Sequence, residues 1–345
     1  MFLAIEIGGT KLQLAVGEAP GSPLVELQRF DVQPAEGAVG ILRTIENVAP
    51  VLCQRHGVQV VGVGFGGPVD LTEQRVICSH QIDGWDNFSL GQWFQRLLGL
   101  PVTIANDADT AALAEATCGA GRGADPVFYV TVGSGVGGGL VQRGQLYHGF
   151  GQAAAEIGHL RPGLNADQPD HTVEMLASGW GIAMAAQERL TEPVAHRLSP
   201  WFGEPRPSDP EVIRQKLIEV EEAAEEHAAD LLERCDGVVD QLSAKMVAQA
   251  AAEGNEIALS VLNRATTALG WAIAQVITLL SPEVVVVGGG VSLAGETLFF
   301  GPLRQAVARY VFPPLADSYR IVPAALGEEV VLHGALALAA RAVER

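Results

Sequence analysis

The chain has 345 residues, 48% of them apolar and 18% charged, with a formal net charge of −18. That length leaves room for two domains of ordinary size with an ample core. The acidity, with no basic patch to interrupt it, argues against nucleic acid as a partner. Four scattered cysteines without a CxxC pair (Cys53, Cys78, Cys118 and Cys235) argue against a disulfide framework or a cysteine-based zinc site, and for free thiols in a reducing cytoplasm.

No basic start precedes an apolar run, so no signal peptide is expected. Leu3, Ile5 and Ile7, then Leu12, Leu14 and Val16, alternate along two strands joined at Gly8-Gly9-Thr10-Lys11. A helix is predicted over about 37–56, then a buried strand in "VQVVGVGFGGPVD" and a short helix in "SLGQWFQRLLGL". The strand "PVTIAND" ends at Asn106-Asp107, where the helix "ADTAALAEATCGAGRG" takes over. "VFYVTVGSGVGGGLVQRGQLY" then repeats the opening in outline: an apolar run, the turn Gly133-Ser134-Gly135, and a second apolar run. Two such β-turn-β openings, each followed by helix and strand, imply a duplicated α/β unit with a cleft between its halves.

Residues 187–240 read as an insertion that begins with loop signals and continues into an acidic helix. Its Ile213, Leu217, Val220 and Leu231 would turn inward and its carboxylates outward, a solvated face rather than a binding surface. "ALSVLNRATTALGWAIAQVITLLSP", interrupted by Asn263, Arg264 and Gln275, suits a core helix better than a membrane span. "PEVVVVGGGVS" is a buried strand that runs into Gly288-Gly289-Gly290, and "VLHGALALAARAVE" is a closing helix.

Turns of the Gly8–Lys11 type hold phosphate because glycines let backbone N–H groups face inward, while Thr10 adds a donor and Lys11 a charge. Glu6 just upstream would hold Mg²⁺ directly or through water. An ordinary hairpin turn is an equal reading of these residues, and neither the P-loop pattern nor GxGxxG is present. Asp107 taken alone reads as an N-cap for a helix at 108–118. His159 alone reads as a satisfied core histidine, and the Gly288–Gly290 triplet as a tight strand-to-helix turn.

Taken together, "IEIGGTK", "VGVGFGGPVD", "GWDNFSLGQWFQRLLGLPVTIANDADTAALAE", "VTVGSGVGGGLV", "GQAAAEIGHL", "VEMLASG", "PEVVVVGGGVS" and "LGEEVVLHGALALA" resemble the ROK sugar kinases in order and spacing. The resemblance covers nearly the whole chain except the acidic insertion. It implies an α/β, actin-like ATPase fold, a duplicated ribonuclease H-like unit with two lobes and a central cleft. The small lobe would be residues 1–105, with a C-terminal helix at about 330–345 packing back on it, and the large lobe 106–329. It implies a cytoplasmic homodimer that uses ATP and Mg²⁺ to phosphorylate the primary hydroxyl of a hexose, glucose before others. N-acetylhexosamine or fructose kinase and a non-catalytic sugar-binding protein are the alternatives, and polyphosphate is the alternative donor. ROK repressors carry a helix-turn-helix segment ahead of this fold, and with the first turn at residue 8 none is expected here.

The resemblance also implies roles. Asp107 would be the catalytic base, and Gly67, Asn106, Asp107, Glu156, His159 and Glu174 would hold the sugar. Gly8, Gly9, Thr10, Lys11, Gly133, Ser134, Gly135, Gly288, Gly289 and Gly290 would hold ATP, and Glu6 the Mg²⁺. Two features depart from the family pattern. Glu6 stands where most members have Asp, and no cysteine lies between Cys118 and Cys235, so no structural zinc is expected. Asp167, Asp170 and His171 offer other ligands in that loop, but packing around Pro162 and Pro169 is the expected support.

Overall fold

The structure, a computed structural model, describes residues 1–79, 81–163, 168, 171–192 and 210–344. Its first sheet has the order β3-β2-β1-β4-β7. β1 (Phe2–Ile7) and β2 (Lys11–Gly17) form an antiparallel hairpin in which Ile7 faces Leu12 across the first glycine turn. β3 (Glu26–Asp31) extends the hairpin, while β4 (Val60–Phe65) and β7 (Val102–Asn106) continue the sheet in parallel on the other side. β1 and β4 are buried on both faces, as unbroken apolar runs require, whereas the outer β3 is exposed at alternate residues. One face is covered by α1 (Gly37–His56) and α2 (Leu90–Leu98), with Ile41, Ile45, Ala49 and Leu52 of α1 at helical spacing toward the core.

The second sheet, β10-β9-β8-β11-β12, repeats that plan. β8 (Val127–Val132) and β9 (Val136–Gln142) are the hairpin, with Val132 opposite Val136 across the second glycine turn. β11 (Val284–Gly288) and β12 (Arg320–Pro323) add in parallel, and the short β10 (Gln145–Leu146) closes the other edge. Hairpin, third strand and two parallel strands therefore occur twice, which is the duplication expected from the repeated β-turn-β pattern.

The apolar stretch read as a core helix is the helix Glu256–Leu280, whose Ile257, Val261, Leu269, Ile273 and Ile277 lie inside the larger core. Along the acidic helix Pro210–Arg234, Ala224, Ala228 and Leu231 are buried and Val220 is partly so, with Glu221, Glu222, Glu225 and Glu226 exposed. The side chains of Ile213 and Leu217 lie outside the described residues. Within the stretch read as an insertion, residues 187–191 complete the helix Gly179–Thr191, while the loop signals at 198–209 lie outside the described residues. All four cysteines are free.

Between the sheets lie α3 (Asp107–Cys118) and the C-terminal helix Val330–Glu344, which packs on α3, β4 and β1. Two glycines allow that approach: a Cβ at Gly62 would overlap the Ala335 carbonyl oxygen, and one at Gly334 would overlap that of Thr110. Alanine at either position would cost about 1–3 kcal/mol of overpacking. α3 starts at the end of β7 and touches both sheets, and its first residues lie near both glycine turns: a Cβ at Gly66 would meet Asp107 and Gly8, and one at Gly137 would meet Ala108.

Candidate active site

The first glycine turn is pinned by a Gly8 N–H donating to the Lys11 carbonyl at 3.0 Å. Beneath it the buried Glu6 carboxylate is held from two sides. Gln13 Nε2 donates to Glu6 Oε2 at 2.6 Å, and Lys11 Nζ lies 3.2 Å from Oε1. Burial raises the Glu6 pKa, and the Lys11 charge opposes the shift. Lys11 thus serves as counter-ion to Glu6 while 42% of its side chain remains exposed, and Thr10 is exposed at the tip. Gln13 is itself only 1% exposed and accepts from Arg29 Nε at 2.8 Å.

The N-cap of α3 is Asn106, not Asp107 as the sequence suggested. Asn106 has extended backbone (φ −62°, ψ 152°), and its Oδ1 accepts from Ala108 N–H at 2.9 Å and Asp109 N–H at 3.4 Å. Its Nδ2 donates to the Gly67 carbonyl at 3.0 Å, which ties the helix start to the turn after β4. Relieved of capping, Asp107 is the first helical residue and keeps one oxygen on the Ala108 N–H at 2.8 Å. A Cβ built on Gly66 would stand 3.5 Å from both Asp107 Oδ2 and Gly8 Cα, so the carboxylate, the Gly66 backbone and the first turn meet at one point. The Asp107 pKa is pushed up to about 6, first by desolvation and then by the Glu6 charge, with the Ala108 N–H opposing.

The second turn is closed by Gly133 N–H donating to the Gly135 carbonyl at 2.9 Å, and the Gly133 carbonyl accepts from Gly179 N–H at 2.7 Å. Glu174, expected beside the sugar, places Oε2 on the Val136 N–H at 2.9 Å, and a Cβ at Gly135 would stand 2.5 Å from that oxygen. Gly289, at φ +90°, lies against the Val132 backbone, where a Cβ would approach its carbonyl oxygen to 2.5 Å. Gly288 is buried under Tyr129 and Ala324, and Gly290 faces open space. The third glycine cluster therefore flanks the second turn.

Asn106 and Glu156 line a common cavity of about 190 Å³, together with Asp109, Asp70 and Gln152. Surrounding protein raises the Glu156 pKa, with the His159 charge opposing and those of Asp109 and Glu174 adding to the rise. His159 closes a short 3₁₀ turn after Glu156 and is exposed, which removes the core-histidine reading. That turn can hug β9 because Gly158 and Gly138 are bare: a Cβ on either would overlap a facing carbonyl, of Val136 or Ala155.

Asp109 and Gln13 were not singled out from the sequence. Asp109 shares the first turn of α3 with Asp107 and pairs with His148 Nδ1 at 3.3 Å. A lone amide between Leu12 and Leu14 was the available signal for Gln13. Among the described residues no group of three or more His, Cys, Asp and Glu is placed to hold a metal ion, while Asp167, Pro169 and Asp170 lie outside the described residues.

A sequence profile described as "ROK family" matches residues 2–342. The glucokinase of Halalkalibacterium halodurans is 30% identical over 342 residues, covering 96% of this chain and 93% of that protein. The crystal structure of a ROK family glucokinase from Streptomyces griseus in complex with glucose and AMPPNP superimposes with a TM-score of 0.77 at 29% identity, over 99% of each chain. The ROK hexokinase from Thermus thermophilus follows at 0.75 and 24% identity, again over 99% of each. The fold is thus the one these kinases share, that of the actin-like ATPases.

Proposed function

The chain belongs to the ROK family, and from that premise we propose that it is an ATP-dependent sugar kinase of the hexokinase type, with the primary hydroxyl of glucose as its acceptor. The observation that carries this reading is the position of Asp107, which has the first glycine turn against its carboxylate and sits between Asn106 and Asp109, two residues that line the cavity shared with Glu156. A hydroxyl brought to that point meets a base whose pKa of about 6 leaves it ionised at neutral pH. Phosphoryl transfer asks mainly for positioning and charge neutralisation, so a modest base suffices. Gly8–Lys11 and Gly133–Gly135, with Gly288–Gly290 flanking the latter, would hold the nucleotide. Gly67, Asn106, Glu156 and His159 would orient the pyranose through donors and acceptors that match its hydroxyls.

The Glu6 carboxylate suits a hard cation that takes few protein ligands and completes its shell with phosphates and water. Both its oxygens already have protein partners, which favours contact through water. When bound there, Mg²⁺ would neutralise charge on the nucleotide's phosphates. We read residues 1–105 with the C-terminal helix as one lobe and 106–329 as the other, supported by the separate cores under the two sheets. A cytoplasmic location is supported by the unpaired cysteines and the resemblance, a homodimer by the resemblance, and sedimentation of the purified protein tests the latter.

The test is ADP release measured across a panel of hexoses and N-acetylhexosamines with ATP, and again with polyphosphate as donor. Turnover is expected with ATP, and with glucose above the others. Fastest turnover on an N-acetylhexosamine or fructose would reassign the acceptor, and no turnover on any sugar would sink the kinase reading.

A further inference from the structure

The cavity that Asn106 and Glu156 share is walled from both halves of the chain. The first contributes Val69–Leu71 of the hairpin formed by β5 (Val69–Asp70) and β6 (Arg75–Val76); the second contributes Gly151–Ala154, from the loop after β10. One side chain joins these walls. Gln152 Oε1 accepts from the Leu71 N–H at 2.8 Å, and its Nε2 donates to Thr72 Oγ1 at 3.0 Å.

The backbone under that side chain is costly. Gln152 has φ +58°, and three residues on Ala155 has φ +68°, both in the left-handed region that glycine occupies freely. A glycine at 152 would satisfy the local bend better than glutamine does. What glutamine alone provides is the pair of hydrogen bonds across the cavity. Four residues beyond it, on the same bent segment, stands Glu156.

We propose that Gln152 is a positioning residue for the sugar: it fastens the Glu156-bearing loop to the β5–β6 hairpin, so that the cavity's polar groups are set before the sugar arrives. The inference rests on the reading of this cavity as the sugar site. Order established in advance lowers the cost of binding. Since Gln152 bonds to Leu71 and Thr72 and not to Asp107, its removal acts on sugar affinity and spares the chemical step.

Two variants separate side chain from backbone. Gln152→Ala deletes the bridge and keeps the strained φ, whereas Gln152→Gly deletes the bridge and relieves the strain. Both are expected to raise the sugar KM about tenfold, equivalent to the loss of one to two neutral hydrogen bonds, with kcat and the KM for ATP unchanged. Gln152→Gly should melt above Gln152→Ala, which divorces the binding defect from stability. Thr72→Val should raise the sugar KM a few-fold and Thr72→Ser should not. A wild-type sugar KM in both Gln152 variants would overturn the proposal. So would a KM that rises in Gln152→Ala and returns in Gln152→Gly, since backbone strain would then be the cause. If Gln152→Ala fails to fold, Gln152→Gly and Thr72→Val carry the same decision. An inactive wild-type protein would instead remove the sugar-site reading itself.

Discussion

At the first glycine turn, Glu6, Lys11 and Gln13 converge on one buried carboxylate, and Asp107 stands beside them. The second turn has no charged side chain within its own residues. The carboxylate that reaches it, Glu174, arrives from a separate short helix and occupies a backbone N–H. Strand order and the hairpin-plus-parallel plan repeat between the halves, yet the charge does not. The duplication has preserved a backbone frame of hairpin, glycine turn and parallel strands. Under the proposed function, acid–base and cation chemistry fall to one copy: the first turn serves the reacting end of the nucleotide and the hydroxyl, and the second grips phosphate through its backbone.

The largest expected effect breaks that division at its charged side. Asp107→Asn should lower kcat about 10³- to 10⁴-fold, toward the upper limit of what a general base contributes, with sugar affinity largely kept. The same variant should gain stability. The folded pKa of about 6 exceeds the ordinary 3.8, so the protonated form is favoured by folding. That stabilisation is whole below pH 4 and lost as pH rises through 6. At pH 7 the uncharged amide escapes a penalty of up to about 3 kcal/mol. Thermal melts of both proteins at pH 7 read this directly, and retained turnover would remove Asp107 as base.

The second prediction uses the same pKa. For the free enzyme, kcat/KM for the sugar should fall tenfold per unit below a midpoint near pH 6, because Asp107 must be ionised to accept a proton. A profile flat from pH 5 to 7 would mean that the carboxylate is ionised throughout, and that burial, aided by the Glu6 charge, does not hold its pKa near 6.

Much of this frame was legible beforehand. Alternation in Leu3–Val16 and the recurrence of an apolar hairpin around Gly133–Gly135 are local signals, and the strands form where those signals lie. The cap of α3 was misplaced by one residue because Asn and Asp both cap well and stand side by side. The extended backbone of Asn106 and its bonds to the Ala108 and Asp109 N–H groups decide between them, and its Nδ2 is held by the Gly67 carbonyl, 39 residues away in sequence. The Glu174 contact with Val136 and the Gln152 bridge to Leu71 and Thr72 are likewise tertiary. No periodicity announces a hydrogen bond between segments that distant in sequence.

The third prediction tests the uncharged side. Glu174→Ala frees the Val136 N–H and removes the carboxylate beside Gly135, so the KM for ATP should rise about tenfold through loss of a charge-assisted brace. Glu174→Gln keeps an acceptor and should hold the ATP KM within about threefold of wild type. Should the sugar KM respond instead, the carboxylate serves the sugar, as the family resemblance implies.

The finest contrast lies at the third residue of each returning strand, Gln13 in β2 and Gly138 in β9. Gln13 fills its place with a buried amide that binds Glu6 and Arg29, while Gly138 leaves its place empty so that the Ala155 carbonyl can lie against the strand. Gln13→Leu should therefore raise the Mg²⁺ concentration for half-maximal rate some three- to fivefold and cost about 1–3 kcal/mol, because one oxygen of Glu6 loses its buried donor. Its sugar KM should stay put. Gly138→Ala should do the converse, since the added methyl displaces the segment carrying Glu156 and His159 and reaches neither Glu6 nor Lys11. If both variants shifted sugar and metal dependence together, the halves would act as one mechanical unit, and the partition of charge between the turns would have no separate functional consequence.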